Sequence, residues 1–162
     1  MRKIAFVNNG TEIKKVMIYD SGNGVYLFGY TTMLDCNCIW DEWYENLSDA
    51  EARCSEDFGL SPEEFIAIAD PLDWCNHDYI MPVKIKGREL RKPEFDKWEI
   101  LRDGKWQPFL PPYDETQDIC AMTVNERLNM AGLLEEFKQA KHTDKAKARK
   151  ILSAVNKGAK DF

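Results

Sequence analysis

The alternation of apolar and polar positions changes period several times along the chain, and each change marks an element. Lys14 to Asp20 and Val25 to Tyr30 are two runs rich in β-branched and aromatic residues on either side of Ser21-Gly22-Asn23-Gly24. That arrangement predicts a β-hairpin, with Asn and Gly supplying the turn. The turn also accounts for Gly22-x-Gly24, because a dinucleotide fingerprint needs a helix after its glycines and another strand-like run follows here. Leu47, Ala50, Cys54 and Phe58 then recur at helical spacing behind the start signal Ser48-Asp49-Ala50-Glu51, and Gly59 supplies a stop. A helix over Ser48 to Phe58 is therefore expected. Ser61-Pro62-Glu63-Glu64 repeats the start signal, so Phe65 to Ile68 reads as a short helix leading into a strand, ended by Pro71.

Further along, Tyr79 to Ile85 reads as a strand whose Pro82 implies an edge position or a bulge. Trp98 to Leu101 and Trp106 to Phe109 flank Arg102-Asp103-Gly104-Lys105, a second hairpin with Asp-Gly as its turn. Residues 107 to 118 hold Pro108, Pro111 and Pro112 and read as a linker. From Thr123 the period is helical: Thr123-Val124-Asn125-Glu126 is a capping box, and Val124, Leu128, Ala131, Leu134 and Phe137 form one apolar stripe. A second helix from Asp144 places Ala148, Ile151, Leu152 and Val155 on one side and ends near Gly158. The two should pair as an αα-hairpin, whose stripes need a sheet face or the same surface of a second copy to pack on.

These elements predict an α+β fold: an antiparallel sheet of about four to six strands covered by a helix, with a C-terminal αα-hairpin. Residues 1–112 form the sheet unit and residues 113–162 the helical hairpin, packed on the same body. With 162 residues, 44% apolar and 31% charged, the chain has the size and bulk of one globular domain with a sizeable core. The run Ile4-Ala5-Phe6-Val7 is too short for a signal peptide or membrane span, and five cysteines without a repeating spacing suit reduced thiols. A soluble cytoplasmic protein is the expectation, and on it the glycosylation patterns Asn9-Gly10-Thr11 and Asn46-Leu47-Ser48 are chance matches.

The net charge of −6 is unevenly distributed: Asp35 to Asp78 contains thirteen acids and one base, Arg53. An acidic surface disfavours nucleic acid and anionic lipid, which need clustered Lys and Arg. Within this segment Trp40, Trp43, Tyr44 and, further on, Trp74 stand among Asp35, Asp41, Glu42, Glu45, Asp73 and Asp78. Large aromatics belong to a core by default. Ringed by acids, Trp40, Asp41, Glu42, Trp43, Tyr44, Glu45 and Trp74 also read as an interface for a basic protein, with charge speeding encounter and rings supplying contact energy.

Cys36-Asn37-Cys38 and Cys75-Asn76-His77 carry the residue types of a tetrahedral zinc site, Cys36, Cys38, Cys75 and His77. One intervening residue is shorter than the usual ligand spacing, so small semi-buried thiols beside a polar histidine are the competing reading. Cys75, His77 and Asp78 contain a thiol, a base and a carboxylate, but groups this close on an extended segment seldom converge. His142, between the two C-terminal helices, reads as a capping or solvent residue.

Trp40-Asp41-x-Trp43-Tyr44-Glu45-Asn46-Leu47-x-Asp49-Ala50, Cys75-x-His77-Asp78, and Thr123 to Leu128 with Leu133-Leu134-x-Glu136-Phe137 resemble segments of small bacterial proteins with no assigned activity. The resemblance implies a bacterial cytosolic protein and nothing about its chemistry. The leading expectation is a non-enzymatic acidic binding protein that neutralises a basic protein, as immunity proteins and inhibitors do. A zinc-stabilised structural domain is the alternative, ahead of a thiol-dependent enzyme, and the C-terminal hairpin is a candidate homo-oligomer contact.

Overall fold

The computed structural model describes residues 1–112 and 123–157. Its centre is a five-stranded antiparallel sheet of β1 (Arg2–Phe6), β2 (Lys15–Asp20), β3 (Val25–Tyr30), β4 (Trp40–Tyr44) and β5 (Ile66–Ile68), in the order β4-β3-β2-β1-β5. The expected first hairpin is β2 and β3, in register from Lys15 opposite Tyr30 to Asp20 opposite Val25. The apolar run after the N-terminus becomes β1, hydrogen-bonded on both sides by β2 and β5. A second, three-stranded antiparallel sheet contains β6 (Val83–Ile85), β7 (Trp98–Arg102) and β8 (Lys105–Phe109). Its β7–β8 turn is the expected Asp103-Gly104 pair, both residues with positive φ (50° and 72°), as a two-residue hairpin turn with the right twist requires.

Period-two alternation sorts the large sheet into two buried faces. Ala5, Val7, Val16, Ile18, Val25 and Leu27 point one way and pack under α1 (Leu47–Phe58) through Ala50 and Cys54. Ile4, Phe6, Met17, Phe28 and Tyr30 point the other way and meet Leu128, Leu133, Ala140, Ile151 and Val155. These last belong to α2 (Val124–Met130), α3 (Leu134–Thr143), α4 (Lys145–Lys157) and the α2–α3 joint. The C-terminal stripes are thus covered by a sheet face, and α3 packs on α4. The fold is α+β, as the elements predict.

Five local expectations change. The N-cap of α1 is Asn46, not Ser48: Asn46 Oδ1 accepts from Asp49 N at 3.0 Å and from Ser48 Oγ at 2.6 Å, adding Leu47 to the first turn. Ser61 to Glu64 makes only a single 3-10 turn at Pro62–Glu64, and the strand begins at Ile66. The strand expected over Tyr79 to Ile85 shrinks to β6, an edge strand, because the backbone before Pro82 is taken by side chains described below. The stripe from Val124 to Phe137 is two helices, because Gly132, at φ 70°, ends α2. A side chain there would also press on Asp35, whose Oδ2 lies 2.8 Å from where a Cβ would stand. The linker read over residues 107 to 118 becomes β8 as far as Phe109, and residues 113 to 118 and Gly158 lie outside the described residues.

Candidate binding face

Strand β4 divides the acidic aromatic segment by alternation. Trp40 and Tyr44 turn toward α1 and pack on its core, Trp40 stacking on Phe58 with centroids 6.4 Å apart. Glu42, on the same side, accepts from the Tyr44 hydroxyl and lies 3.4 Å from Arg53 Nε. Burial first, then Glu42, pushes the Tyr44 phenol up to about 12. Asp41 and Trp43 point to the opposite face and are exposed, Trp43 by 53%, and Glu45, also exposed, follows the end of the strand.

Register extends this face into a row. Trp43 is the cross-strand partner of Tyr26, which is in turn the partner of Tyr19. The two tyrosine rings stack at 6.4 Å, and Tyr19 meets the His77 imidazole edge to face at 5.0 Å. Tyr26 stacks on Phe28 at 6.0 Å, tying the row to the core. Tyr19 and Tyr26 remain partly exposed and His77 exposed, so one end of the sheet presents Trp43, Tyr26, Tyr19 and His77 to solvent, flanked by Asp41 and Glu45. Nine of the thirteen acids between Asp35 and Asp78 are exposed, Asp41 and Glu45 among them and others on the outer side of α1, so the acidic segment is a surface. Trp74 is also exposed, by 52%, with a left-handed φ of 69° in a turn closed by Cys75 N donating to Leu72 O, but it makes no ring contact with the row.

The two cysteine-containing segments do meet, through other atoms. Asp78 Oδ2 accepts from Cys38 N at 3.1 Å and Tyr30 Oη donates to Asp78 O at 2.6 Å. Asp35 accepts from Ile80 N at 2.7 Å and Met81 N at 2.8 Å. Buried Arg2 donates to the carbonyls of Ala69, His77, Tyr79 and Ile80 at 2.5 to 3.3 Å. Fully buried Lys15 donates to Leu34 O at 2.8 Å and lies 4.2 Å over the Tyr30 ring. These charges are thus joined to backbone groups, which is how interiors tolerate them. Burial lowers the Lys15 pKa and raises that of Asp35, each opposed by the other's charge.

Burial also pushes the thiols up, Cys38 and Cys54 to about 12, with Asp78 adding to the effect at Cys38. Cys75 is buried and shifted the same way. Cys75, His77 and Asp78 have separate surroundings, His77 on Tyr19 and Asp78 on Cys38 N. Among the described residues, no group of three or more His, Cys, Asp or Glu side chains is arranged to hold a metal ion, and this includes Cys36, Cys38, Cys75 and His77. A cleft of about 700 Å³ borders Arg2, Asp70, Arg102, Glu135, Glu136 and Lys138. Its charges are largely satisfied internally: Glu136 bonds Ala69 N and Lys147, Lys138 bonds Glu135, and Arg2 the carbonyls above.

Against known proteins, no family model, curated protein or solved structure matches the chain. Nor, among the described residues, is any helix long and apolar enough to cross a membrane.

Reading the segment as one block missed Tyr19 and Tyr26 and placed His77 with the thiols. The signal was present in the first hairpin, where a turn over residues 21–24 pairs Tyr19 with Tyr26. What joins them to Trp43 is the addition of β4 beside β3, a long-range pairing.

Proposed function

We propose that this chain is a non-enzymatic binding protein of the bacterial cytosol that neutralises a basic protein partner, in the manner of an immunity protein or inhibitor. The observation that carries this reading is the exposure of Asp41 and Trp43 on one face of β4, with Glu45 just past its end, beside Tyr26, Tyr19 and His77. An indole that keeps half its surface in water, beside partly exposed tyrosine rings, supplies contact energy when covered, and flanking carboxylates accelerate encounter with a cation-rich surface. Their field reaches about 8 to 10 Å at physiological ionic strength, whereas the acids on the outer side of α1 lie across the sheet from this row. Exposed aromatic rings with acidic rims are depleted in Lys and Arg, so the face discriminates against polyanions.

The test is comparative capture from lysate with the wild-type chain and with a D41K/W43A/E45K variant, followed by titration of any protein that only the wild type retains. The reading expects a saturable complex whose association slows by about tenfold or more with the variant and with added salt. Recovery of the same abundant basic proteins by both chains, all released together by salt, would overturn it.

A further inference from the structure

Sheets leave backbone donors and acceptors unpaired at their edges, and proteins blunt them by shortness, Lys, Pro or a covering element. Three of the four edges here are treated in this way. β5 has three residues, and its flanks are held by α3 and α4: Glu136 Oε1 accepts from Ala69 N at 2.9 Å, and Lys150 Nζ donates to the carbonyls of Glu63 and Phe65. β6 also has three residues, and Asn76 N donates to Val83 O at 2.7 Å. β8 carries Lys105 and Pro108. β4 is different: five residues, Trp40-Asp41-Glu42-Trp43-Tyr44, without Lys or Pro, whose charges, Asp41 and Glu42, are acidic and so disfavour another acidic strand while admitting a cationic one. Among the described residues, no hydrogen bond from outside the β3–β4 ladder reaches its backbone.

From this open edge, and resting on the binding reading above, we infer that β4 accepts an extended cationic segment of the partner as a sixth strand. Strand addition takes affinity from backbone hydrogen bonds and specificity from alternate side chains. Asp41 and Trp43 lie on one face about 6.8 Å apart, twice the rise per residue, and exposed Glu45 follows Tyr44 in the bend at the end of the strand. A neighbouring strand would set every second side chain opposite Asp41 and Trp43, with Cβ atoms about 4.5 to 5.5 Å away. Lys or Arg at those alternate positions meets a carboxylate and then an indole, an ion pair and a cation–π contact, with the Glu45 carboxylate just beyond the end of the strand. The inner face of the same strand, toward Trp40 and Tyr44, favours Thr or Val. A second copy of this chain is a poor occupant, because antiparallel pairing of two β4 strands about their middle residue sets Glu42 opposite Glu42 of the other copy, and like charges directly opposite are destabilising.

The probe is a short synthetic peptide with Lys or Arg at every second position and Thr or Val between, against a peptide of equal composition with its basic residues contiguous. At low salt the alternating peptide should bind about tenfold more tightly and slow hydrogen exchange at the amides of residues 40–44. N-methylation along one peptide edge, tested for each edge in turn, should abolish binding for the edge that pairs while leaving the charge intact. D41N/E45Q should weaken the alternating peptide by about tenfold. Equal binding by both peptides with no protection of β4, or full binding by both N-methylated forms, overturns the inference. So does a dimer whose β4 amides are protected without peptide. A natural partner that depends on Asp41 and Glu45 but leaves β4 exchanging freely would overturn strand addition alone. Absence of any partner dependent on this face would overturn the underlying binding reading, whatever the peptides do.

Discussion

The indole of Trp40 lies flat over Gly29, its direct cross-strand partner on β3, so that a Cβ at Gly29 would overlap the ring. The same ring stacks on Phe58 of α1, which makes the missing side chain of Gly29 the space through which helix and edge strand are joined. Gly29→Ala should therefore destabilise the fold by about 1 to 3 kcal/mol, the usual cost of overpacking. In a double-mutant cycle with Trp40→Ala the two losses should be less than additive, since the alanine has no ring left to strike. Urea unfolding of the four proteins measures this, and strict additivity would contradict the packing described.

Trp43, three residues on and on the opposite face, should behave in the reverse way. Trp43→Ala removes a ring that is 53% exposed, so stability should change by no more than about 1 kcal/mol, against a clearly larger loss for Trp40→Ala. Asp41→Lys and Glu45→Lys should leave the melting temperature nearly unchanged while slowing association with a cationic partner, an effect that salt diminishes. Thermal melts of the single variants separate the faces before any partner is identified.

Leu133 and Ile151, both fully buried between the C-terminal helices and the sheet, should each cost about 2 to 5 kcal/mol on replacement by Ala. Phe137, only partly buried at the margin of the same core, should cost less than either. Denaturant titration gives the order directly. A negligible loss at both Leu133 and Ile151 would mean that α2 to α4 contribute little to the cooperative fold.

The buried charges predict two pH dependences of opposite sign. The Lys15 pKa is lowered on folding, chiefly by burial, so the unfolded chain holds that proton more tightly. Stability should rise with pH from the folded value up to the ordinary lysine value of about 10.4. Measured against Lys15→Met, the wild type should gain as pH is raised from neutral. Asp35 has its pKa raised, again chiefly by burial, so the folded chain holds the proton longer and stability should fall as pH rises from about 3.9 through the folded value. Asp35→Asn removes that slope, and unfolding free energies across pH for the three proteins test both signs.

Thiol reactivity offers a last check. Burial holds Cys38 and Cys54 at about 12 and raises Cys75, so at pH 8 these groups are almost wholly protonated and poorly nucleophilic. With Cys120 replaced by Ser, alkylation of the native chain should be slower than that of the unfolded chain by more than about tenfold. Fast labelling of Cys38 or Cys75 in the native state would favour a reactive thiol after all.

The sequence by itself determined whatever rests on local chemistry. Both hairpins, the helix ending at Phe58, the capping box at Thr123 and the apolar side of α4 were legible, because turn residues, caps and periodicity act within a few positions. The run of acids between Asp35 and Asp78 was legible too, but which of them reach solvent was decided by the fold. Tertiary structure alone decided how the segment from Trp40 to Glu45 divides. Its alternation became meaningful only when β4 paired with β3, turning Trp40 and Tyr44 toward α1 and Asp41, Trp43 and Glu45 toward solvent. The same pairing brought Tyr26 and Tyr19 beside Trp43. Docking of residues 35–38 against 78–81 likewise depended on backbone groups of Ile80 and Met81 finding the Asp35 carboxylate. Which strand stays at an edge, and which face of it stays uncovered, depends on contacts between residues distant in sequence. No local pattern records their register, because a one-residue slip exchanges the two faces of a strand without changing its composition.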